Sequence, residues 1–276
     1  MIELPEVLTL ARQINKELKG CRIASGNQGN TPHKFIWYSR SAKEYAEILS
    51  GRTVTGAKGK GNWLFISLDA GWVLAMGDMG GRVVLYDSED DLPRKYHLLV
   101  RFDDGRCLAV SVQGWGFLNL FTKNEVSKHK YAGNIGLSPL SKAFTYDRFR
   151  KILDRVSDQE KLVVKKLIVS DPRFPGISNG YLQDILFHAG IHHTRRVVDI
   201  KGRERQKLYH AIRKVLKEAT DKGGKDEERD LYNEPGGYSR ILNAKARGKP
   251  CPVCGAAIDK IQFLGGASYF CPNCQT

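Results

Sequence analysis

Apolar residues at Val7, Leu8, Ala11, Ile14 and Leu18 recur at helical spacing behind Pro5 and Glu6. They predict a helix over 5–19 with proline in its first turn. From 21 to 120 the pattern changes to short β-rich runs. Trp63–Leu68 leads into Asp69-Ala70-Gly71, and a second run covers 72–75. The run 97–102 leads into Asp103-Asp104-Gly105, and 107–112 follows. Asp and Gly between β-rich runs signal hairpins. Residues 1–122 therefore read as a two-layer β-structure with a helix packed on it. The stretch 123–145 is polar, carries Gly133, Gly136 and Pro139, and reads as a linker. Helical spacing returns over 146–156, 160–169, 179–189 and 204–220. Charge and glycine fill 221–230, which predicts a mobile loop. The fold class is α+β with more than one domain, as a length of 276 residues also suggests.

The end of the chain has a different logic. Cys251-Pro252-Val253-Cys254 and Cys271-Pro272-Asn273-Cys274 are two closely matched knuckles. At that separation four thiolates can surround one tetrahedral zinc. A ribbon this short cannot bury a core of its own, so the metal must supply much of its folding energy. Two disulfides or four free thiols are the alternative. Only Cys21 and Cys107 lie elsewhere and no apolar leader precedes Met1, which points to a reducing, cytoplasmic setting and favours metal. One structural zinc is expected, in a ribbon over 246–276.

Charge then narrows the partner. Lys and Arg total 44 against 30 Asp and Glu, a formal net charge of +14. Such a surplus concentrates polyanions near the surface. No apolar run approaches the ~20 residues of a membrane span, so a membrane is not expected as partner. The ribbon tips the balance from lipid to nucleic acid.

Several local motifs occur together in order. They are Glu3-Leu4-Pro5-Glu6-Val7, Gly59-Lys60 before a strand, and Leu-Ser-Pro-Leu-Ser from Leu137 to Ser141. Pro175-Gly176-Ile177-Ser178-Asn179-Gly180-Tyr181 and the closing Cys-Pro-Asn-Cys-Gln complete the set. This series resembles the formamidopyrimidine-DNA glycosylase/endonuclease VIII family over nearly the whole chain. The resemblance implies an N-terminal β-sandwich with a flanking helix, a helix–two-turn–helix domain over 146–245 and the zinc ribbon. It also implies a monomer that binds damaged duplex DNA in a basic groove, flips out an oxidised base, cuts the glycosidic bond and cleaves the strand as a lyase.

Residue roles follow from the same resemblance. The family nucleophile is an N-terminal amine, usually of proline, which attacks C1′ and forms a Schiff base. An α-amine titrates near pH 8, so a useful fraction is neutral and nucleophilic at physiological pH. The next residue, a glutamate, acts as general acid/base and matches Glu3; without a partner role, Glu3 would simply be helix-start charge. The proline position is Ile2, which once Met1 is removed would carry a primary amine still able to form the Schiff base, although its size disfavours that removal. A retained Met1 places its amine up to ~3.6 Å of chain further from Glu3. Borohydride is therefore expected to trap the protein on abasic DNA weakly or not at all. Lys60 matches a lysine near the scissile phosphates, and Lys58 is the alternative two positions earlier. Asn179 matches a phosphate-gripping asparagine at a glycine-bearing helix start, although asparagine also caps helices without a ligand. Tyr181 follows in the same motif, and Lys165 aligns with a lysine on the preceding helix.

The departures are specific. Met79 fits the first member of the family's Met-Arg-Phe wedge, but Gln113-Gly114-Trp115-Gly116-Phe117 replaces its arginine–phenylalanine loop. Trp115 or Phe117 could wedge by stacking and Gln113 could pair with the orphan base; core packing is the alternative. Gly266 stands where the family finger has arginine, and Met76 where it has a histidine. His192, His193, Arg195 and Arg196 form a basic cluster suited to phosphate. The expected function is a base-excision-repair glycosylase. The rival is a family member with reduced chemistry that binds abasic or distorted DNA, and a third reading is an RNA-binding descendant.

Overall fold

The computed structural model describes residues 1–156, 161–170 and 172–276. Two units divide the chain: Met1–Ile135 with Thr220–Tyr238, and Gly136–Ala219 with Ser239–Thr276.

The first unit begins with α1, Leu4–Glu17. Its core face is Val7, Leu10, Ala11, Ile14 and the following Leu18; Leu8 is only half-buried and Leu10 takes its expected place. Eight strands form β1 Ile23–Gln28, β3 Val54–Lys60, β4 Trp63–Leu68, β5 Trp72–Gly77, β6 Gly80–Tyr86, β7 Leu98–Phe102, β8 Cys107–Gln113 and β9 Gly116–Thr122, with the short β2 Ile36–Trp37 between the first two. They make two sheets, in the orders β1-β7-β8-β6 and β2-β9-β5-β4-β3. All pairings are antiparallel except β2 with β9. Alternate residues of both sheets share one core, among them Leu64, Ile66, Leu74, Met76, Leu118 and Leu120 facing Val83, Leu98, Val100, Leu108 and Val110. The two expected hairpins are β4–β5 and β7–β8.

Two helices interrupt the expected run of strands and linker. The first, α2, is Ala42–Leu49, capped by Ser41 with Glu44 in a capping box. The second, α3, is Lys123–Lys128, capped the same way by Thr122 with Glu125. Both signatures are local, but each helix is short and follows β-rich sequence, so the period alone does not separate them from strands. The segment 220–238 also departs from expectation. It is not a loop among the helices but part of the β-unit: Leu231 is fully buried in the sandwich core, its carbonyl accepts from Leu85 N–H at 2.8 Å, and its own N–H donates to Gln13 Oε1 at 3.0 Å.

The second unit carries α4 Tyr146–Val156, α5 Val164–Ser170, α6 Asn179–Ala189 and α7 Arg203–Asp221. The helix expected from 160 begins at Val164, and residue 160 itself lies outside the described residues. Residues 181–187 and Ala189 of α6 are buried, and Gly190 ends it in the left-handed conformation (φ 71°). The ribbon pairs β10 Asp259–Phe263 with β11 Gly266–Phe270. No described helix is long and apolar enough to cross a membrane.

Candidate active site and zinc ribbon

Glu3 is the N-cap of α1, with extended backbone (φ −114°, ψ −174°). Glu3 and Glu6 form a capping box, and the Glu6 carboxylate accepts from Glu3 N–H at 2.9 Å. Capping boxes usually sit at the surface, yet Glu3 is 1% exposed and Glu6 3%. Two buried carboxylates demand a cation, because an uncompensated interior charge costs several kcal/mol, about 3–5 when one partner of a pair is missing.

Lys225 is that cation. Its Nζ donates to Glu3 Oε1 at 2.8 Å, stands 3.8 Å from Glu6 Oε2 and reaches the Met1 carbonyl at 3.3 Å. Its backbone N–H donates to Glu6 Oε1 at 2.9 Å. Burial pushes the Lys225 ammonium down, but Glu3, Glu6 and Glu228 outweigh it and hold its pKa above the ordinary lysine value. Gly223 and Gly224 make this approach possible. Both have positive φ (79° and 102°), and a Cβ on Gly224 would lie 2.9 Å from Glu6 Cγ.

The N-terminus completes the site. The Met1 ammonium is 2.8 Å from Glu228 Oε1. The Ile2 N–H donates to Met79 O at 3.0 Å, and the Ile2 side chain is in the core.

The other expected residues divide between surface and interior. Lys58 and Lys60 are both exposed on one face of β3, and Lys60 opens the two-residue turn into β4 through its pairing with Trp63. Gly59 between them lets α1 approach: a Cβ there would be 2.7 Å from Val7 Cγ1 and 3.0 Å from Val7 O. Trp115 is 54% exposed at the β8–β9 turn, beside exposed Gln113. Phe117 is half-buried and stacks on Trp37 at 5.1 Å between ring centres. Met79, the residue matched to the wedge, is buried in the core and packs under β9, where a Cβ on Gly116 would meet its own Cβ at 2.8 Å.

In the second unit the expected phosphate contacts turn inward. Lys165 is buried, with Nζ donating to Phe263 O at 2.5 Å and Ser268 Oγ at 2.9 Å, and burial lowers its pKa. Asn179 Nδ2 donates to Ala267 O at 2.8 Å, and Tyr181 is fully buried. Gln183 Oε1 accepts from Tyr269 N–H at 2.7 Å. Lys165, Asn179 and Gln183 of α5 and α6 fasten the β10–β11 hairpin. In the basic cluster, Arg195 binds Glu204 at 3.2 Å and Arg196 binds Asp199 at 2.7 Å, while His193 is buried.

The four ribbon cysteines converge, all sulfurs lying within 4.8 Å of one another. Cys251 and Cys274 sulfurs are 3.8 Å apart, and those of Cys254 and Cys271 3.4 Å. A tetrahedron of thiolates at the Zn–S distance of about 2.3 Å has edges of about 3.8 Å, so the donor set fits zinc. Val253 and Cys274 N–H groups each point at a knuckle sulfur at 3.4 Å, which favours thiolate.

A β-sandwich with a buried carboxylate–amine pair at the chain start, a helical unit and a four-thiolate ribbon define a zinc-containing DNA glycosylase architecture. Known proteins agree. Residues 1–113 match the formamidopyrimidine-DNA glycosylase N-terminal domain, 135–229 its H2TH domain, and 248–276 the zinc finger found in FPG and IleRS. The formamidopyrimidine-DNA glycosylase of Roseiflexus sp. (strain RS-1) is 30% identical over 100% of both chains. That of Shouchella clausii is 28% identical over 100% of this chain and 99% of its own. The Lactococcus lactis Fpg in complex with abasic-site DNA superposes with a TM-score of 0.85, at 25% identity over 99% of each chain. The chain belongs to the formamidopyrimidine-DNA glycosylase family.

Sequence reasoning missed Lys225. Its partner Glu3 is 222 positions away, and in sequence it is one charge among many. The one local hint is the Gly223-Gly224 pair, which marks a close backbone approach.

Proposed function

We propose that this protein is a base-excision-repair glycosylase that removes oxidised or otherwise damaged bases flipped from duplex DNA. The buried Glu3 at the start of α1 carries the reading, in a chain that matches glycosylases along its full length. Glu3 is the acid/base: it protonates the departing base and then the sugar ring oxygen. Lys58 and Lys60, exposed on the hairpin, neutralise phosphates beside the reacting sugar. Trp115, at the tip of its turn, fills the gap left by the flipped base by stacking. Flipping costs a few kcal/mol, roughly what such a stack and the pocket contacts return. The ribbon holds one structural zinc, and the protein acts as a monomer. DNA-bound relatives support a DNA ligand: the Lactococcus lactis protein was solved with abasic-site DNA and with DNA containing an oxidized pyrimidine.

The test is a panel of duplexes carrying an abasic site, 8-oxoguanine or an oxidised pyrimidine, scored for base release and for mobility shift. Release from at least one damaged duplex, lost in Glu3→Gln while the shift persists, is the expected result. Turnover that survives Glu3→Gln removes Glu3 from the mechanism. One observation favours the non-catalytic rival: Glu3 is closed off by its ion pair with Lys225. Tight binding without release from any duplex would establish that rival, and tighter binding to structured RNA would move the ligand class.

A further inference from the structure

A cavity of about 580 Å³ lies in the helical unit beside α4, and none of the residues assigned above to DNA or zinc lines it. Its lining is strongly basic. Arg148, Lys151 and Arg155 come from α4, and Arg173 from the chain ahead of α6. Asp147 is the one carboxylate among the described lining residues, and it faces Arg150 at 3.5 Å. We propose that this cavity binds a small molecule carrying linked phosphates, of the pyrophosphate or nucleotide class.

Charge carries the inference first. Arg148, Lys151 and Arg155 stand at i, i+3 and i+7, so they share one helix face. Phe149, Ile152, Leu153 and Val156 turn into the core, and the three cations stay exposed. Among the described residues none of the three makes an ion pair, whereas their helix neighbours Arg150 and Asp154 are paired with Asp147 and Arg205. Like charges one turn apart repel. The fold does not offset that repulsion here, and a bound anion would. The start of α4 adds to it: Thr145 lines the cavity, and its Oγ1 accepts from Arg148 N–H at 3.3 Å. The positive end of the helix dipole therefore opens on the same space.

Size and shape choose the ligand. The volume falls within the roughly 300–1,000 Å³ of small-molecule sites, whereas a duplex lies along an open groove. From residue 148 to 155 the helix rises about 10 Å, at 1.5 Å per residue. That line of charge is too long for one phosphate and suits several in a row. Three of the four lining cations are arginines, whose forked donors grip phosphate oxygens in pairs. Arg173 stands outside α4, so the cations enclose the space from more than one element. Leu137, Phe144 and Ile152 give it an apolar floor against which a sugar or base edge can rest.

The experiment is calorimetric titration of the zinc-loaded, full-length protein with inorganic phosphate, sodium triphosphate and dATP at fixed ionic strength, with an undamaged duplex in a parallel arm. Triphosphate or dATP should bind at one site, and Arg148→Gln with Lys151→Gln should weaken it about tenfold or more, the loss of at least one charged hydrogen bond. Lys207→Gln with Lys214→Gln removes the same charge from exposed positions of α7 and should leave that binding unchanged. No binding of triphosphate or dATP, or an equal loss in both double variants, overturns the proposal. Inorganic phosphate binding as tightly as triphosphate refutes the linked-phosphate class. Duplex affinity that falls in the α4 variant without any triphosphate binding assigns the face to nucleic acid instead, and overturns it too. Photolabelling of the wild type with 8-azido-dATP decides the matter without a variant: the label belongs on 136–155 or Arg173, and a label confined to the ribbon or the β-unit refutes the site.

Discussion

Replacing Lys225 with methionine should destabilise the β-unit severely. The change removes the ammonium that faces Glu3 and Glu6, all three side chains being at most 4% exposed. Two buried carboxylates then lose that ammonium. Deleting one partner of a buried pair costs about 3–5 kcal/mol. Glu3→Gln should cost less, about 1–3 kcal/mol, because Lys225 keeps Glu6 at 3.8 Å and only a charged hydrogen bond is weakened. In the double variant the Glu3 charge that faced the ammonium is gone as well, so the losses should fall short of their sum by about 2 kcal/mol. Urea unfolding followed by tryptophan fluorescence isolates the effect, since Trp37, Trp63, Trp72 and Trp115 all lie in the β-unit. At a slope near 2 kcal/mol/M, a loss of about 4 kcal/mol moves the midpoint by about 2 M. The sign with pH is also set. A lysine raised above its unfolded value stabilises fully below the unfolded pKa of about 10.4, and that contribution fades as pH climbs through the higher folded value. Measurement at pH 7 therefore samples the intact pair. A midpoint shift under ~0.5 M, or strictly additive losses, would falsify the claim that this ion pair holds the segment to α1.

Three further outcomes follow from the packing. Cys271→Ser, at a fully buried ligand position, should abolish the single bound zinc, measured by colorimetric metal release, and unfold the ribbon. Gly59→Ala should cost about 1–3 kcal/mol in the same urea assay, because its Cβ would press on Val7 Cγ1 and on the Val7 carbonyl; an unchanged midpoint would show that α1 shifts freely. Burial holds the His193 pKa down to about 3, against 6.5 for the free side chain. Between those values only the unfolded chain binds the proton, so stability falls on acidification, by about 2 kcal/mol from pH 6.5 to 4.5. Replacing His193 with phenylalanine should flatten that slope relative to wild type in thermal melts.

Much of this protein was decided locally and was therefore legible in the chain. The zinc ligands could be named because knuckle geometry depends on residues three apart. Helices Tyr146–Val156 and Asn179–Ala189 have their expected bounds because each carries its own apolar period. Hairpins at Asp69-Ala70-Gly71 and Asp103-Asp104-Gly105 follow from turn chemistry alone. Periodicity says which positions are apolar but not what a polar side chain meets. Lys165, Asn179 and Tyr181 lie where expected along the chain, yet tertiary packing points them at the ribbon and the core. Met79 matched a wedge by its place in the chain, and only the fold shows it packed in the core. The choice of Lys225 as partner for Glu3 belongs entirely to the folded state. A buried carboxylate requires a countercharge, but nothing in its own neighbourhood says which distant lysine will supply it; chain closure across 222 positions does.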